Sequence, residues 1–272
     1  MVASLVALVA LATSASARNF GLIVPMYNLT MIEEPPANLL AAAAKVPVRV
    51  VLGELADTKP AAGYMAGIAA LKGAGIATLH YTHTRADGPC CHCCDTFAHI
   101  TDRIALCDAL WPGDPVFFDN GPFANQQKLF DSLYAYTQTH PTATTSRPAM
   151  MNPGRSGVEE SYLKTLPNFE LMGFEGTMAT WHTVVDPGYP FHRSFNWSNY
   201  EQSRFSMIVE QVPTVAEMQA IVKRAAQADL NYGSMYVTDK PYQSLPSYFD
   251  ELVSAVAALN SPATARATGT AR

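Results

Sequence analysis

The chain has 272 residues, 49% hydrophobic and 15% charged, with a formal net charge of −5 at neutral pH. That length can bury a large core, and a mean hydropathy near zero excludes both a disordered chain and a polytopic membrane protein. The acidic balance argues against a surface that neutralises phosphates, so neither nucleic acid nor membrane is expected as a partner, while a neutral or cationic polymer remains open.

Residues 1–17 read as a secretory signal. Residues 2–12 are an apolar run too short to span a bilayer, and Ala15, Ser16 and Ala17 are the small residues a signal peptidase needs. The n-region carries no Lys or Arg, and a buried first helix is the alternative, but a strand-like segment starts at once at Phe20 and leaves no linker for it. Secretion is therefore expected, and the sequons Asn28-Leu29-Thr30 and Asn196-Trp197-Ser198 are compatible with it. Residues 261–272, rich in Ala, Thr and Arg, are expected to be a disordered tail, with one domain over residues 18–260.

Short β-rich apolar runs then alternate with helical patterns, the signature of a parallel sheet. Strands are predicted over residues 21–27, 48–52, 76–82, 115–118, 149–151, 169–174, 205–212 and 233–237. Helices are predicted over 39–44, 60–72, 100–110, 125–139, 215–228 and 247–259. The second strand is continuously apolar apart from Arg49, as a strand buried on both faces should be. Eight such strands in a chain of this length call for a single (β/α)8 TIM-like barrel. The rival, an open doubly wound sheet, normally carries a glycine-rich loop after its first strand, and Pro25-Met26-Tyr27-Asn28 is no such loop.

In a barrel the working residues sit where a strand gives way to its loop. Those positions, in order, are Tyr27, Glu54, His83, Asp119, Asn152, Glu175, Glu210 and Asp239. A ring of carboxylates, amides and a histidine is what glycoside hydrolysis uses, one carboxyl donating a proton to the leaving oxygen and another acting as nucleophile or base. Asp119 follows Val116-Phe117-Phe118 off a buried strand, though Asn120-Gly121-Pro122 also suits a turn or helix cap. Glu175 follows Met172-Gly173-Phe174, and Glu is a poorer cap than Asp. Glu210 lies within an apolar strand, where a carboxylate points to a polar site or a cationic partner. His83 either orients a substrate group or is a satisfied structural histidine.

Several motifs, in order along the chain, make a resemblance. They are Leu79-His80-Tyr81-Thr82-His83-Thr84, Val116-Phe117-Phe118-Asp119, Met151-Asn152-Pro153-Gly154, and Phe174-Glu175-Gly176-Thr177 with Trp181. Met235-Tyr236-Val237-Thr238-Asp239 with Leu245-Pro246-Ser247-Tyr248 completes them. On these residues the chain resembles the spherulin-4-like family, spherulation-specific family 4, related to fungal glycoside hydrolases that cut galactosamine-containing polysaccharide. The resemblance implies a (β/α)8 barrel, catalytic roles for Asp119 and Glu175, and no cofactor or metal. Substrate contacts are expected from Tyr27, His83, Asn120, Asn152, Trp181, Glu210, Tyr236 and Asp239. The family commonly carries Asp-Glu where this chain has Asp119-Asn120, and an amide cannot exchange a proton as a carboxyl does. The expected function is thus an endo-acting glycosidase, secreted and monomeric, with a non-catalytic wall or matrix protein that keeps the sugar-binding cleft as its rival. A polysaccharide deacetylase is more distant, for want of a convincing His/Asp metal set.

The loop after the third strand holds Cys90, Cys91, His92, Cys93 and Cys94, with Cys107 in the helix that follows. Adjacent ligands in one short loop cannot easily surround a tetrahedral ion, so disulfides are expected rather than a metal site, with no connectivity assigned. Tyr189, Phe191, Phe195, Trp197 and Tyr200 follow the sixth strand, either stacking on sugar faces or packing a core of their own.

Overall fold

A computed structural model describes residues 19–53, 60–84, 97–121, 126–139, 149–154, 158–166, 169–188 and 193–261. Eight parallel strands close a barrel in chain order: β1 (Gly21–Met26), β2 (Val48–Leu52), β3 (Ala77–His83), β4 (Val116–Asp119), β5 (Ala149–Asn152), β6 (Phe169–Thr177), β7 (Phe205–Glu210) and β8 (Ser234–Val237). The closed order rules out the open doubly wound sheet.

The helices fill the crossovers. The first holds α1 (Leu29–Glu33) and α2 (Ala37–Ala42), and α3 (Ala62–Gly73), α4 (Phe97–Leu110) and α5 (Gln127–Thr139) follow β2, β3 and β4. After β5 comes α6 (Glu160–Thr165), and after β6 comes α7 (Met178–Thr180), which runs on into a wider turn over Trp181–Val185. The last two are α8 (Val215–Ala225) and α9 (Phe249–Leu259). The sequence reading missed α1, α6 and the 178–185 turn, because five to eight residues are too few to display a helical period. It also ended β6 three residues early.

Parallel register decides which side chains fill the barrel. Arg49 of β2 reaches Glu170 of β6 in an ion pair and donates to Ser206 Oγ of β7 and Ser234 Oγ of β8 at 3.2 and 2.8 Å. Strands from opposite walls can meet this way only in the interior, so these four residues form its floor. Alternation upward from them, through pairs such as Ile208↔Tyr236 and Phe117↔Met150, places Phe117, Met150, Met172, Ile208 and Tyr236 in a closed middle layer. Outward positions such as Val50, Phe118 and Met235 pack under the helices. The chain ends of the domain are tied together: Phe20 N–H donates to Asn260 Oδ1 at 2.7 Å, and Asn260 Nδ2 donates back to Phe20 O at 2.9 Å.

The expected signal segment, the disordered tail, Glu54 and the cluster from Cys90 to Cys94 lie outside the described residues. Cys107 is buried in α4. No helix among the described residues is long and apolar enough to cross a membrane.

Candidate active site

The C-terminal mouth of the barrel is where the strand-end residues meet. Asp119 and Asn152 are opposite one another in the β4–β5 register, and His83 is opposite Asp119 across β3–β4. Asn152, buried on β5, organises the centre. Its Nδ2 donates to Asp119 Oδ1 at 2.8 Å and to Glu175 Oε2 at 2.5 Å. The nearest oxygens of the two carboxyls can therefore be no further apart than those two bonds end to end, about 5 Å. The amide is oriented by its neighbour: Gly154 N–H donates to Asn152 Oδ1 at 3.0 Å, in a turn where Gly154 takes φ +62°. That conformation strains any residue with a Cβ, and Pro153 before it needs no amide partner.

Glu175 reaches the mouth through an irregularity. On β6 the register with β7 runs Leu171↔Phe205, Met172↔Ser206, then Phe174↔Met207 and Glu175↔Ile208, so Gly173 is an extra residue. Glu170 points into the barrel, and with strict alternation Glu175, five residues on, would point out. The bulge resets the phase and turns Glu175 inward, while Phe174 packs outward against Trp181 with ring centroids 5.5 Å apart. Gly173 is required there: a Cβ would stand 2.0 Å from Cη2 of Trp197. The aromatic segment after β6 supplies that wedge. Trp197 is fully buried, stacked on Phe205 at 4.3 Å, with the Arg193 guanidinium 3.9 Å from its ring centroid. Phe195, Trp197 and Tyr200 thus pack a core of their own, while Tyr189 and Phe191 lie outside the described residues.

Each carboxyl is richly supplied with donors. Asp119 Oδ2 accepts from Tyr81 Oη at 2.5 Å and from Asn120 Nδ2 at 2.7 Å. Asn120 sits at φ +59°, a left-handed conformation that Asn tolerates better than other non-glycine residues. Glu175 Oε1 accepts from Tyr242 Oη at 2.9 Å. Burial raises the Asp119 pKa, opposed by the hydrogen bonds from Tyr81 and Asn152 and by nearby His83. Burial also raises the Glu175 pKa, reinforced by the charges of Asp119 and Glu210 and opposed by the donors Asn152 and Tyr242.

Tyr27 lies at the rim, 38% exposed, its ring edge-on to Tyr81 and to Tyr242 at centroid distances of 5.9 and 5.7 Å. Glu210 ends β7 on the inward face beside Glu175. Three expected contacts are placed elsewhere. Trp181 is fully buried outside the barrel wall between Phe174 and Tyr232, because Phe174 points outward. Tyr236 points into the barrel but lies in its closed middle layer, 1% exposed, one level below the mouth. Asp239 is spent on its own loop, accepting from Ser247 N–H and Oγ–H at 2.9 and 2.6 Å. Two residues that sequence reasoning missed, Tyr81 and Tyr242, touch the carboxyls directly. Tyr81 lay within a quoted motif and on the inward phase of β3, a signal that could have found it. Tyr242 is in a loop, with no periodicity to mark it.

Among the described residues no group of three His, Cys, Asp or Glu side chains is arranged to hold a metal ion. The arrangement offers two carboxyls whose nearest oxygens lie within about 5 Å, with raised proton affinity, at an aromatic-rimmed barrel mouth. Three carboxylates, Asp119, Glu175 and Glu210, gather at this mouth, with His83 beside Asp119.

Among solved structures, Aspergillus clavatus Sph3 in complex with GalNAc has a similar fold, with a TM-score of 0.69 and 18% identity over 88% of this chain and 98% of that one. A GH18 chitinase from Pseudoalteromonas aurantia is also similar, with a TM-score of 0.55 and 12% identity over 88% of this chain and 99% of the other. At these identities the likeness speaks for the barrel fold. The comparison with curated protein sequences returned no match. The family model described as "Spherulation-specific family 4" matches residues 24–256, from within β1 to within α9 and including Asp119 and Glu175, and the chain belongs to that family.

Proposed function

We propose that the protein is a secreted glycoside hydrolase that cuts internal bonds of a galactosamine-containing polysaccharide. The observation that carries this reading is the Asp119–Asn152–Glu175 bridge, which holds the nearest oxygens of two carboxyls within about 5 Å of each other at the barrel mouth. Retaining glycosidases place their carboxyls roughly 5–5.5 Å apart, close enough for one to attack the anomeric carbon while the other protonates the leaving oxygen.

The two environments divide the roles. Asp119 accepts three hydrogen bonds, from Tyr81, Asn120 and Asn152, all of which favour its charged form. It is the carboxylate at the anomeric carbon. Glu175 accepts two and faces two like charges, Asp119 and Glu210, so a shared proton goes to it, and it is the acid. Tyr27, partly exposed at the rim, offers aromatic surface against which a sugar can pack. Family membership supports a carbohydrate substrate, and the GalNAc complex of a protein with the same fold supports an amino sugar. The N-terminal apolar run of the sequence supports secretion.

The rival reading is a polymer-binding protein that does not hydrolyse, favoured by Asn120 standing where the family pattern has Glu. The deciding experiment incubates the purified protein with a panel of galactosamine- and glucosamine-containing polymers and follows released oligosaccharides by mass spectrometry. Release of a ladder of products from the galactosamine polymer, absent in Glu175→Gln, supports the hydrolase. Binding without release by the wild-type protein selects the rival, and neither binding nor release removes carbohydrate from consideration.

A further inference from the structure

Two phenols donate to the two carboxyls of the mouth, Tyr81 to Asp119 at 2.5 Å and Tyr242 to Glu175 at 2.9 Å. A third tyrosine stands between them. The Tyr27 ring is edge-on to Tyr81, with centroids 5.9 Å apart, and edge-on to Tyr242, at 5.7 Å. The first contact joins strands that are not neighbours, since Tyr27 follows β1, Tyr81 lies on β3, and β2 runs between them. Register explains it. Pro25 pairs with Val51 and Val51 with Leu79, so two residues further on Tyr27, Gly53 and Tyr81 share one level on the inward phase. β2 brings no side chain to that level. A Cβ at Gly53 would already stand in ordinary contact, 3.5 Å from Tyr27 Cα and 3.9 Å from its Cδ1, so a longer side chain would enter the space where the two rings meet. The second contact is fixed by the residues that follow. Asn28 Nδ2 donates to Gln243 O at 2.9 Å, while Asn28 Oδ1 caps α1 through Thr30 N–H at 3.0 Å. The end of β1 and the loop between β8 and α9 are thus clasped at two successive positions, 27 with 242 and 28 with 243. Tyr81 is backed on its other side by Phe117, with centroids 6.0 Å apart and planes 28° apart.

We propose that Tyr27 is a positioning residue as well as a sugar contact: wedged between Tyr81 and Tyr242, its ring sets where both phenol hydroxyls meet Asp119 and Glu175. One side chain at the rim then aims both carboxyls, and a sugar packed on it bears on both through the two phenols. The glycine at position 53 is what lets the wedge reach Tyr81 across β2. This inference rests on Asp119 and Glu175 being the reacting pair of the proposed hydrolysis.

The test reads the two phenol–carboxyl bonds by NMR in the full-length protein labelled with ¹³C at tyrosine Cζ, and it needs no substrate. As pH rises, the Tyr81 resonance should step when Asp119 ionises and the Tyr242 resonance when Glu175 ionises, because each phenol gains a charged acceptor. Asp119→Asn and Glu175→Gln, each expected to erase one step, assign them. Tyr27→Leu keeps an apolar side chain but loses the ring, and it should shrink both steps to less than half. Tyr27→Phe keeps both edge contacts and should leave both steps in place. Gly53→Leu puts a side chain between the first pair of rings and should shrink the Tyr81 step more than the Tyr242 step. On a polymer that the wild type cuts, Tyr27→Leu should lower kcat about tenfold besides raising KM, whereas a ring that only packs a sugar would raise KM alone. Steps of wild-type size in Tyr27→Leu, an unchanged Tyr81 step in Gly53→Leu, or a rise in KM alone overturn the proposal. If both steps shrink as expected but the wild type cuts no polymer, the hydrolase reading fails and the wedge stands. If polymer is cut and the steps do not shrink, the reverse holds.

Discussion

Replacing Gly173 by Ala probes how the fold aims Glu175. The new Cβ would lie 2.0 and 2.3 Å from Cη2 and Cζ3 of Trp197, and 3.2 Å from Tyr232 Cε1. Trp197 has nowhere to retreat. It is fully buried, stacked on Phe205, and covered by Arg193, whose guanidinium is itself fixed by donation to the backbone oxygens of Asp229 and Leu230. Overpacking of a tight core costs roughly 1–3 kcal/mol, and two ring carbons inside van der Waals contact place this change at the top of that range, about 3 kcal/mol. For a domain of this size that lowers Tm by about 6–12 °C, measurable by calorimetry. The strand can relieve the clash only by shifting the bulge, which alters the phase of every residue beyond it, Glu175 first. Activity on an amino-sugar polymer should therefore fall by more than the loss of folded protein explains. A variant as stable as wild type would refute the wedge. A destabilised variant with full specific activity would show that the wedge packs the wall without aiming the carboxyl.

Other expectations follow from the same geometry. Glu175→Gln should abolish turnover while polymer binding, measured by calorimetry, persists, because the amide keeps the shape and loses the proton. It should also raise Tm at neutral pH: burial raises the folded-state pKa of Glu175, so the ionised form is penalised above that pKa, and the gain vanishes as pH falls below the ordinary value of 4.5. Asn120→Glu restores the family's acidic pair beside Asp119 and should increase hydrolysis. A left-handed backbone there costs a residue such as Glu about 1 kcal/mol, seen in denaturant unfolding. Unchanged product release from Asn120→Glu would show that this position does not limit activity. In the barrel floor, Arg49→Leu leaves Glu170 without its ion-pair partner and should cost about 3 kcal/mol, whereas Arg49→Leu with Glu170→Leu should recover most of it.

The alternation of apolar runs and turns is a local property of the chain, and it determined the eight strands and their parallel order before any contact was known. Asp119, Asn152 and His83 were legible for the same reason, since the end of a strand is written in the residues beside it, whereas Glu210 was read inside a strand running to residue 212 and the strand ends at it. Glu175 was found at its place in the chain, but its direction was not, because alternation alone points it outward and only the bulge at Gly173 turns it in. That bulge depends on Trp197, which comes 24 residues later and is held by Phe205 and Arg193. The same packing draws Trp181 behind the wall, although its motif position suggested the cleft. Tyr242 reaches Glu175 only once β8 closes against β1 and Asn28 anchors the returning loop. A strand's existence and its ends follow from neighbours in sequence, whereas the face a side chain presents is decided by what fills the space behind it, and here tertiary structure brings that filling from distant parts of the chain.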